Sequence, residues 1–412
     1  MKLKELIIKI LFFNNNMGIS FPCLSREEIW KILENFDKKN IKIGVLASHS
    51  ALDVAEGAVS EGFETYLFCE KGREEPYTRY FKSIFYNGKR IKGIVDNPIV
   101  LDNFIDLLNE KWQKYMIEKN ILFIPNRSFW VYSGKTKIQT EFKVPLVGSR
   151  NMLHLEDREE QKDFNYYHLL EEAGIRIPKK LNSPEEIDNV GFVMCKILHG
   201  VHRLERGFFT ASSTKEYYEK LERLIKRNII DKKDVEDIRI EKFTIGPVMN
   251  FDFFYSPVSE KLGEEPLELL GIDARYETNL DGLVRIPANQ QLTLPENMKD
   301  PTYIVCGHTT LTIRESLLRH VFLMGEKFVK TAKKEFPPGM IGSFCLQTII
   351  EDDMKPTCYD VAFRIGGGTN IHMYDGHPYA NILWNKRMSS GRRTALEIKR
   401  AIENDMLQEI VT

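Results

Sequence analysis

What the chain has little of narrows its class before any motif is read. No Cys-x-x-Cys pair occurs among its six cysteines (Cys23, Cys69, Cys195, Cys306, Cys345, Cys358), which argues against a zinc ribbon or a redox dithiol. Their apolar settings predict reduced, buried side chains in a cytoplasmic protein. No stretch approaches the roughly 20 apolar residues that a membrane helix needs. A net charge of -1 offers no broad field for nucleic acid or an anionic membrane, so any anion site must be local. Repeats and low-complexity segments are also missing. What remains is a globular composition, 42% hydrophobic and 28% charged, over 412 residues, a length that suits two or three domains around a shared cleft.

The opening MKLKELIIKILFFNNNMGIS has a basic head and an apolar centre, but Lys9 interrupts that centre and no small-x-small cleavage site follows. It reads as an N-terminal extension, residues 1–18, with Met17 as an alternative start. An amphipathic helix is expected over 26–38. IKIGVLAS (41–48) is then a continuous apolar run of strand length, SHSALDVAEGAVSEGF has helical spacing, and ETYLFCEKG is a second strand. This rhythm predicts a Rossmann-like parallel α/β domain over 19–148, with ligands at the carboxyl ends of its strands. His49, between Ser48 and Ser50, occupies one such end, and Ser128 stands at the exit of ILFIPNRSF (121–129). A lone histidine is more often structural than a ligand.

A charged helix over 157–173, the Gly174 stop and the turn IRIPKK mark a boundary, after which an α+β domain is expected over 149–412. Lys196 follows the run VGFVMC, and the basic, glycine-punctuated loop after it, including Gly200 and Gly207, suits either polyphosphate oxygens or a solvated hairpin turn. Glu241 and Lys242 end the strand of IRIEKFTIG; they fit a ribose diol and a neighbouring base edge, or an exposed ion pair. RYETNLDGLVRIP (275–287), with Asn279 at its centre, reads as one polar loop. Gln347 in FCLQTII and Asp360 in CYDVAF flank the charged turn EDDMKP, so a hairpin places two oxygen side chains on one face, as a hard cation requires. The glycine run after Arg364 reads as a flexible turn.

Taken in order, Lys196 with its loop, Glu241-Lys242, Gln347 and Asp360-x-x-x-Arg364 resemble the ATP-grasp superfamily. More closely, ASHSALDVAEGAVSEGF, EKGREEPYTRYF, EFKVPLVGSRNML, LLGIDARYETNLDGLVRIPA and PPGMIGSFCLQ resemble the archaeal formate-dependent FAICAR synthetases. The resemblance implies an ATP-grasp fold behind the parallel domain, with a nucleotide-clasping subdomain over 192–250. It implies a ligase of purine (IMP) biosynthesis that uses ATP and formate, through formyl phosphate, to convert AICAR to FAICAR. Mg²⁺, with Mn²⁺ as an alternative, would sit on Gln347 and Asp360, while Arg364 and Lys196 assist phosphoryl transfer. ATP would meet Lys196, Gly200, Gly207, Glu241 and Lys242 under a lid over 200–209, and AICAR would meet His49, Ser128 and Asn279. A homo-oligomer is expected.

This chain departs from the family pattern at three places. The strand that in the family reads Glu-Met-Ser-Ala-Arg-Ile-Asp-Gly-Gly-Thr-Asn has Asp360, Ala362 and Gly366 here. The loop after Lys196 is poorer in glycine and offers His202, Arg203 and Arg206 as substitute donors. Pro-His-Gly-Ser-Phe has become Pro125-Asn126-Arg127-Ser128-Phe129. A diverged paralogue follows, with three readings open: the same reaction, a related carboxylate-amine ligase with a different acid or amine, for which Arg127 favours a larger or more anionic acid, or a non-catalytic nucleotide-binding or assembly protein.

Overall fold

The apolar runs of the N-terminal third become a parallel sheet buried on both faces. In this computed structural model, which describes residues 22–156, 165–196, 208–232, 235, 238–299 and 301–412, the sheet comprises β1 (Lys42–Leu46), β2 (Glu64–Glu70), β5 (Asn97–Leu101) and β6 (Ile121–Ile124). An exposed hairpin, β3 (Ile84–Tyr86) and β4 (Lys89–Lys92), is inserted between β2 and β5. The spatial order is β5-β2-β1-β6. Val45, Leu67 and Leu122 join one hydrophobic cluster and their chain neighbours Leu46, Phe68 and Phe123 another, which is why these strands show no polar alternation. Helix Ala51–Ser60 makes the crossover from β1 to β2.

A second, antiparallel sheet of five strands has one apolar and one polar face. It contains β10 (Val248–Tyr255), β11 (Leu267–Thr278), β12 (Ile304–Thr310), β13 (Gly342–Ile350) and β14 (Pro356–Ala362), in the order β12-β11-β10-β13-β14. Register fixes the two faces. Ile272, Phe251, Leu346 and Val361 pair across four strands and all enter the largest hydrophobic cluster, under helix Glu315–Glu335. One residue along, Asp273, Asn250, Gln347 and Asp360 form the next row and therefore lie on the opposite face. Each buried Phe or Leu of the first row contributes about 1.5–3 kcal/mol, enough to pin the register that turns the polar row away from the hydrophobic core.

A small antiparallel sheet, β7 (Val193–Lys196), β8 (Phe208–Ala211) and β9 (Arg239–Lys242), ordered β8-β7-β9, packs under helix Thr214–Lys226 through Tyr217 and Leu221. The subdomain expected over 192–250 thus ends its own sheet at Lys242, because β10 already belongs to the five-stranded sheet.

The end of the chain returns to the beginning. Helix Ser390–Glu403 crosses helix Ala51–Ser60 with backbones nearly touching, and a Cβ on Gly57 would lie 2.2 Å from the Arg392 amide nitrogen. Leu146 and Thr412 exchange backbone hydrogen bonds of 3.1 and 2.9 Å. The segment expected to belong to 149–412 therefore docks on the parallel unit. Three local expectations also change. Residues 275–278 continue strand β11 rather than opening a loop, since Arg275 pairs with His308. The helix expected over 26–38 stops at Leu33, and a short 3-10 turn follows at Lys38–Asn40. Cys306 is exposed and Cys23 half-buried, although all six cysteines are free. Of the helix expected over 157–173, Tyr166–Glu172 is helical, and 157–164 lie outside the described residues, as do the extension 1–18 and the loop 197–207.

Candidate functional site

Polar groups gather where the carboxyl ends of the parallel strands meet the polar face of the five-stranded sheet. Asn126 caps helix Arg127–Ser133 by accepting from the Phe129 amide at 3.0 Å, and its amide donates to the Leu46 and Ser48 carbonyls at 2.9 Å each. One side chain thus ties the exits of β1 and β6 together and presents Arg127 and Ser128 beside His49. His49 takes a left-handed φ of 56°, its Nδ1 lies 3.2 Å from Ser50 Oγ, and its carbonyl accepts from the Asn370 amide at 2.7 Å.

A cavity of about 640 Å³ opens there, lined by His49, Arg127, Ser128, Tyr303, His308 and Asn370 among others. A narrower pocket of about 80 Å³ adjoins it, sharing His49, Arg127 and His308 and adding Asp252, Asp273, Arg275, Gln347 and Arg364. Asn279, expected with His49 and Ser128, lines neither space. It has a φ of 40° at the end of β11, and its Oδ1 accepts from the Thr302 amide at 3.1 Å.

The glycine run is not merely flexible. A Cβ on Gly368 would lie 2.2 Å from the Asp273 carboxylate, and one on Gly367 would lie 2.6 Å from the His49 ring. Residues 367 and 368 carry no side chain because an imidazole from the parallel unit and an acid from the sheet press directly on their backbone.

Lys196 is buried at the end of β7. Its Nζ pairs with Glu241 at 2.6 Å, donates to the Tyr167 hydroxyl at 2.7 Å and approaches the Tyr359 carbonyl at 3.4 Å. That last contact brings it beside Asp360. Glu241 is buried too and also bonds Arg239, whose guanidinium stacks on Tyr167 at 3.6 Å. Burial opposes charge on Glu241, but Lys196 and Arg239 more than offset it and hold its carboxyl below the usual range. Lys242 ends β9 and is exposed. Gly200 and Gly207 lie outside the described residues.

Gln347 and Asp360 are direct cross-strand partners, so both side chains leave the same face of the hairpin. An amide oxygen and a carboxylate are a suitable donor pair for a hard divalent cation. Arg275 donates to the Gln347 oxygen, which keeps a second lone pair for a metal ion. Among the described residues no cluster of three His, Cys, Asp or Glu side chains has metal-site geometry. Arg364 is buried against Glu156 at 3.3 Å; burial pushes that glutamate's carboxyl up, and Arg364 offsets part of the rise.

Four residues of the smaller pocket, Asn250, Asp252, Asp273 and His308, carry polar chemistry that the sequence does not single out. Asp273 accepts from Asn250 and pairs with His308 Nδ1, both at 2.9 Å. Asp252 is 2% exposed and its Oδ2 has no partner; burial and then the neighbouring Asp273 push its carboxyl well above the usual range. A signal for them exists in the sequence, in polar residues two apart within apolar strands: Asn250 and Asp252, then Asp273 and Arg275.

Comparison with known proteins accounts for nearly the whole chain. Residues 43–181 match the family described as "Protein of unknown function (DUF1246)", and 216–412 match "Domain of unknown function (DUF1297)". The 5-formaminoimidazole-4-carboxamide-1-(beta)-D-ribofuranosyl 5'-monophosphate synthetase of Methanocaldococcus jannaschii is 39% identical, over 94% of this chain and 100% of its own length. The protein of that name from Methanothermobacter thermautotrophicus is 40% identical, over 94% and 99%. Among solved structures, the IMP biosynthesis protein PurP of Thermococcus kodakaraensis is similar with a TM-score of 0.65 and 27% identity, over 90% of this chain and 100% of that one. An ADP complex of purK, N5-carboxyaminoimidazole ribonucleotide synthetase, shares only the fold, at a TM-score of 0.52 and 12% identity, over 85% and 78%. The fold is ATP-grasp behind a parallel α/β unit, and the chain belongs to the 5-formaminoimidazole-4-carboxamide ribonucleotide synthetase family.

Proposed function

We infer that this chain is an ATP-dependent carbon–nitrogen ligase that joins formate to the 5-amino group of AICAR, giving FAICAR, ADP and phosphate in purine biosynthesis. The observation that carries the inference is the likeness to the named synthetases along essentially their whole length. Formate has no adequate leaving group, so the γ-phosphoryl of ATP is first transferred to a formate oxygen. The amine then attacks the formyl carbon of formyl phosphate, and phosphate departs.

The site supports a division of labour. The cavity of about 640 Å³ suits a ribonucleotide, with His49, Arg127 and Ser128 at its rim. Lys196 and Arg364 are placed to meet phosphoryl oxygens. Neither begins as a free cation, because Glu241 and Glu156 hold them, so polyphosphate must compete with those partners. Glu241 reaches a ribose only if Lys196 releases it. A divalent cation, which we take to be Mg²⁺, would be held by Gln347 and Asp360 and would neutralise charge on the polyphosphate. Arg127 and Arg275 keep the pocket cationic against an anionic acid.

The test is ADP release with Mg-ATP, AICAR and a panel of small carboxylates. Release that requires both AICAR and formate supports the assignment. Release driven better by a larger acid would mean a related ligase, and ATP binding without turnover would mean a nucleotide-binding protein.

A further inference from the structure

The passage between the two cavities is flanked by an Asp–His pair to which the reaction described above assigns no role. His308 lines both the space of about 640 Å³ and the pocket that holds Gln347 and Arg364. An amine attached to a nucleotide in the first and a formyl phosphate held at the second must meet at this junction. His308 Nδ1 faces Asp273 Oδ1 at 2.9 Å, and Asp273 is 1% exposed. A buried carboxylate at that distance makes Nδ1 the donor, which leaves the Nε2 lone pair as an acceptor. No described residue hydrogen-bonds Nε2.

The surroundings keep the pair in this state. Asp273 takes two donors, Asn250 Nδ2 and His308 Nδ1, whereas Asp252 Oδ2 has none. Two adjacent buried carboxylates do not both ionise cheaply, and burial, then the neighbouring Asp273, push Asp252 well above the usual carboxylate range. The other charged or titratable groups around the pocket are Arg275, the cross-strand partner of His308, with Arg364, His49, Arg127 and the buried thiol of Cys345. His372 sits behind Thr310 Oγ1, with its Nε2 at 3.1 Å.

We propose that His308, oriented by Asp273, is the general base of the acyl-transfer step. The AICAR nitrogen forms its bond to the formyl carbon, the bond from that carbon to the phosphate oxygen breaks, and the proton lost by nitrogen passes to His308 Nε2. Phosphate leaves with the electron pair of the broken bond. Asp273 is a positioning residue in this scheme. The proposal rests on the ligase reading above, because it needs both the amine and the acyl phosphate.

The experiment compares His308→Ala, His308→Gln and Asp273→Asn with the wild type at saturating ATP, AICAR and formate. Loss of a general base costs about 10²- to 10⁴-fold in rate. His308→Ala should lose at least about 100-fold in turnover, with the KM for AICAR changed by no more than about threefold, and added imidazole should restore turnover in proportion to its concentration. His308→Gln keeps a donor for Asp273 but has no base, so it should be as slow as the alanine variant and unresponsive to imidazole. Asp273→Asn should lose less. Near-wild-type turnover in His308→Gln, or a slow alanine variant that imidazole does not help, would overturn the proposal. A wild type that releases no ADP with AICAR and formate would instead fail the ligase reading on which it stands.

Discussion

The parallel sheet and the five-stranded sheet solve the placement of chemistry in opposite ways. In the parallel sheet β1, β2 and β6 are apolar on both faces, so polar function gathers at strand ends, where His49, Asn126 and Ser128 stand. In the antiparallel sheet, chemistry lies across a whole face: Asp273, Asn250, Gln347 and Asp360 stand side by side, one residue out of phase with a row of core residues. A strand end tolerates local rearrangement. A face does not, because slipping the register by one residue would turn every member of the polar row into the hydrophobic core.

If that contrast is right, changes on the polar face and its neighbours should cost turnover or integrity, whereas a buried acid of the parallel unit should affect stability alone. The largest effect is expected from Lys196→Met, which removes a cation from the buried Glu241. The cost should be about 3–5 kcal/mol, at the lower end because Arg239 remains, read by urea unfolding and accompanied by loss of ATP binding. Asp360→Ala should leave unfolding unchanged and lower turnover about 10²- to 10³-fold, the scale on which one charge-stabilising group acts. Unchanged Mg-ATP affinity and turnover would remove Asp360 from the metal site.

Gly368→Ala is a sharper probe, because its added Cβ meets Asp273 at 2.2 Å. It should cost about 1–3 kcal/mol and depress turnover as well, whereas a glycine serving only as a flexible turn would do neither.

The smallest effect is expected in the parallel unit. Asp53 is fully buried beside the C-terminal helix, accepting from the Gly391 amide at 3.1 Å, and burial pushes its carboxyl up from 3.8 to about 6. Folding then penalises the ionised form. Well below pH 3.8 the acid is neutral in both states and costs nothing; between about pH 4 and 6 the penalty grows, and above 6 it stays level at an upper bound of roughly 3 kcal/mol. Asp53→Asn should therefore gain about 1–2 kcal/mol at pH 7 and nothing at pH 4, since the amide keeps a desolvation cost of its own. Thermal melts at the two pH values measure this, and an equal effect at both would contradict it.

The same contrast explains what was legible in the sequence. Continuous apolar runs announce a sheet buried on both faces, so β1, β2 and β6 are readable locally. The hairpin carrying Gln347 and Asp360 is readable as well, since the turn 351–356 separates two short strands. Asp252, Asp273 and His308 lie tens of residues apart and meet only through the order β12-β11-β10, which no local pattern encodes. Their alternation with Phe251, Ile272 and Phe253 was visible, but alternation reveals a face without saying what it faces. The glycine run was misread for a related reason. The need for glycine at 367 and 368 comes from His49 and Asp273, which reach it from other parts of the chain. Arg275 was taken for a loop residue because its neighbours are polar, yet cross-strand pairing with His308 holds it in β11.

In the ligase reaction proposed for this chain, formate is activated by phosphorylation before the amine attacks. Supplying formate labelled with ¹⁸O on both oxygens, together with Mg-ATP and AICAR, tests it most directly. Formyl phosphate requires one formate oxygen to leave with the phosphoryl group, so each phosphate released should carry one ¹⁸O, and FAICAR the other. Phosphate without label, accompanying FAICAR formation, would contradict the account.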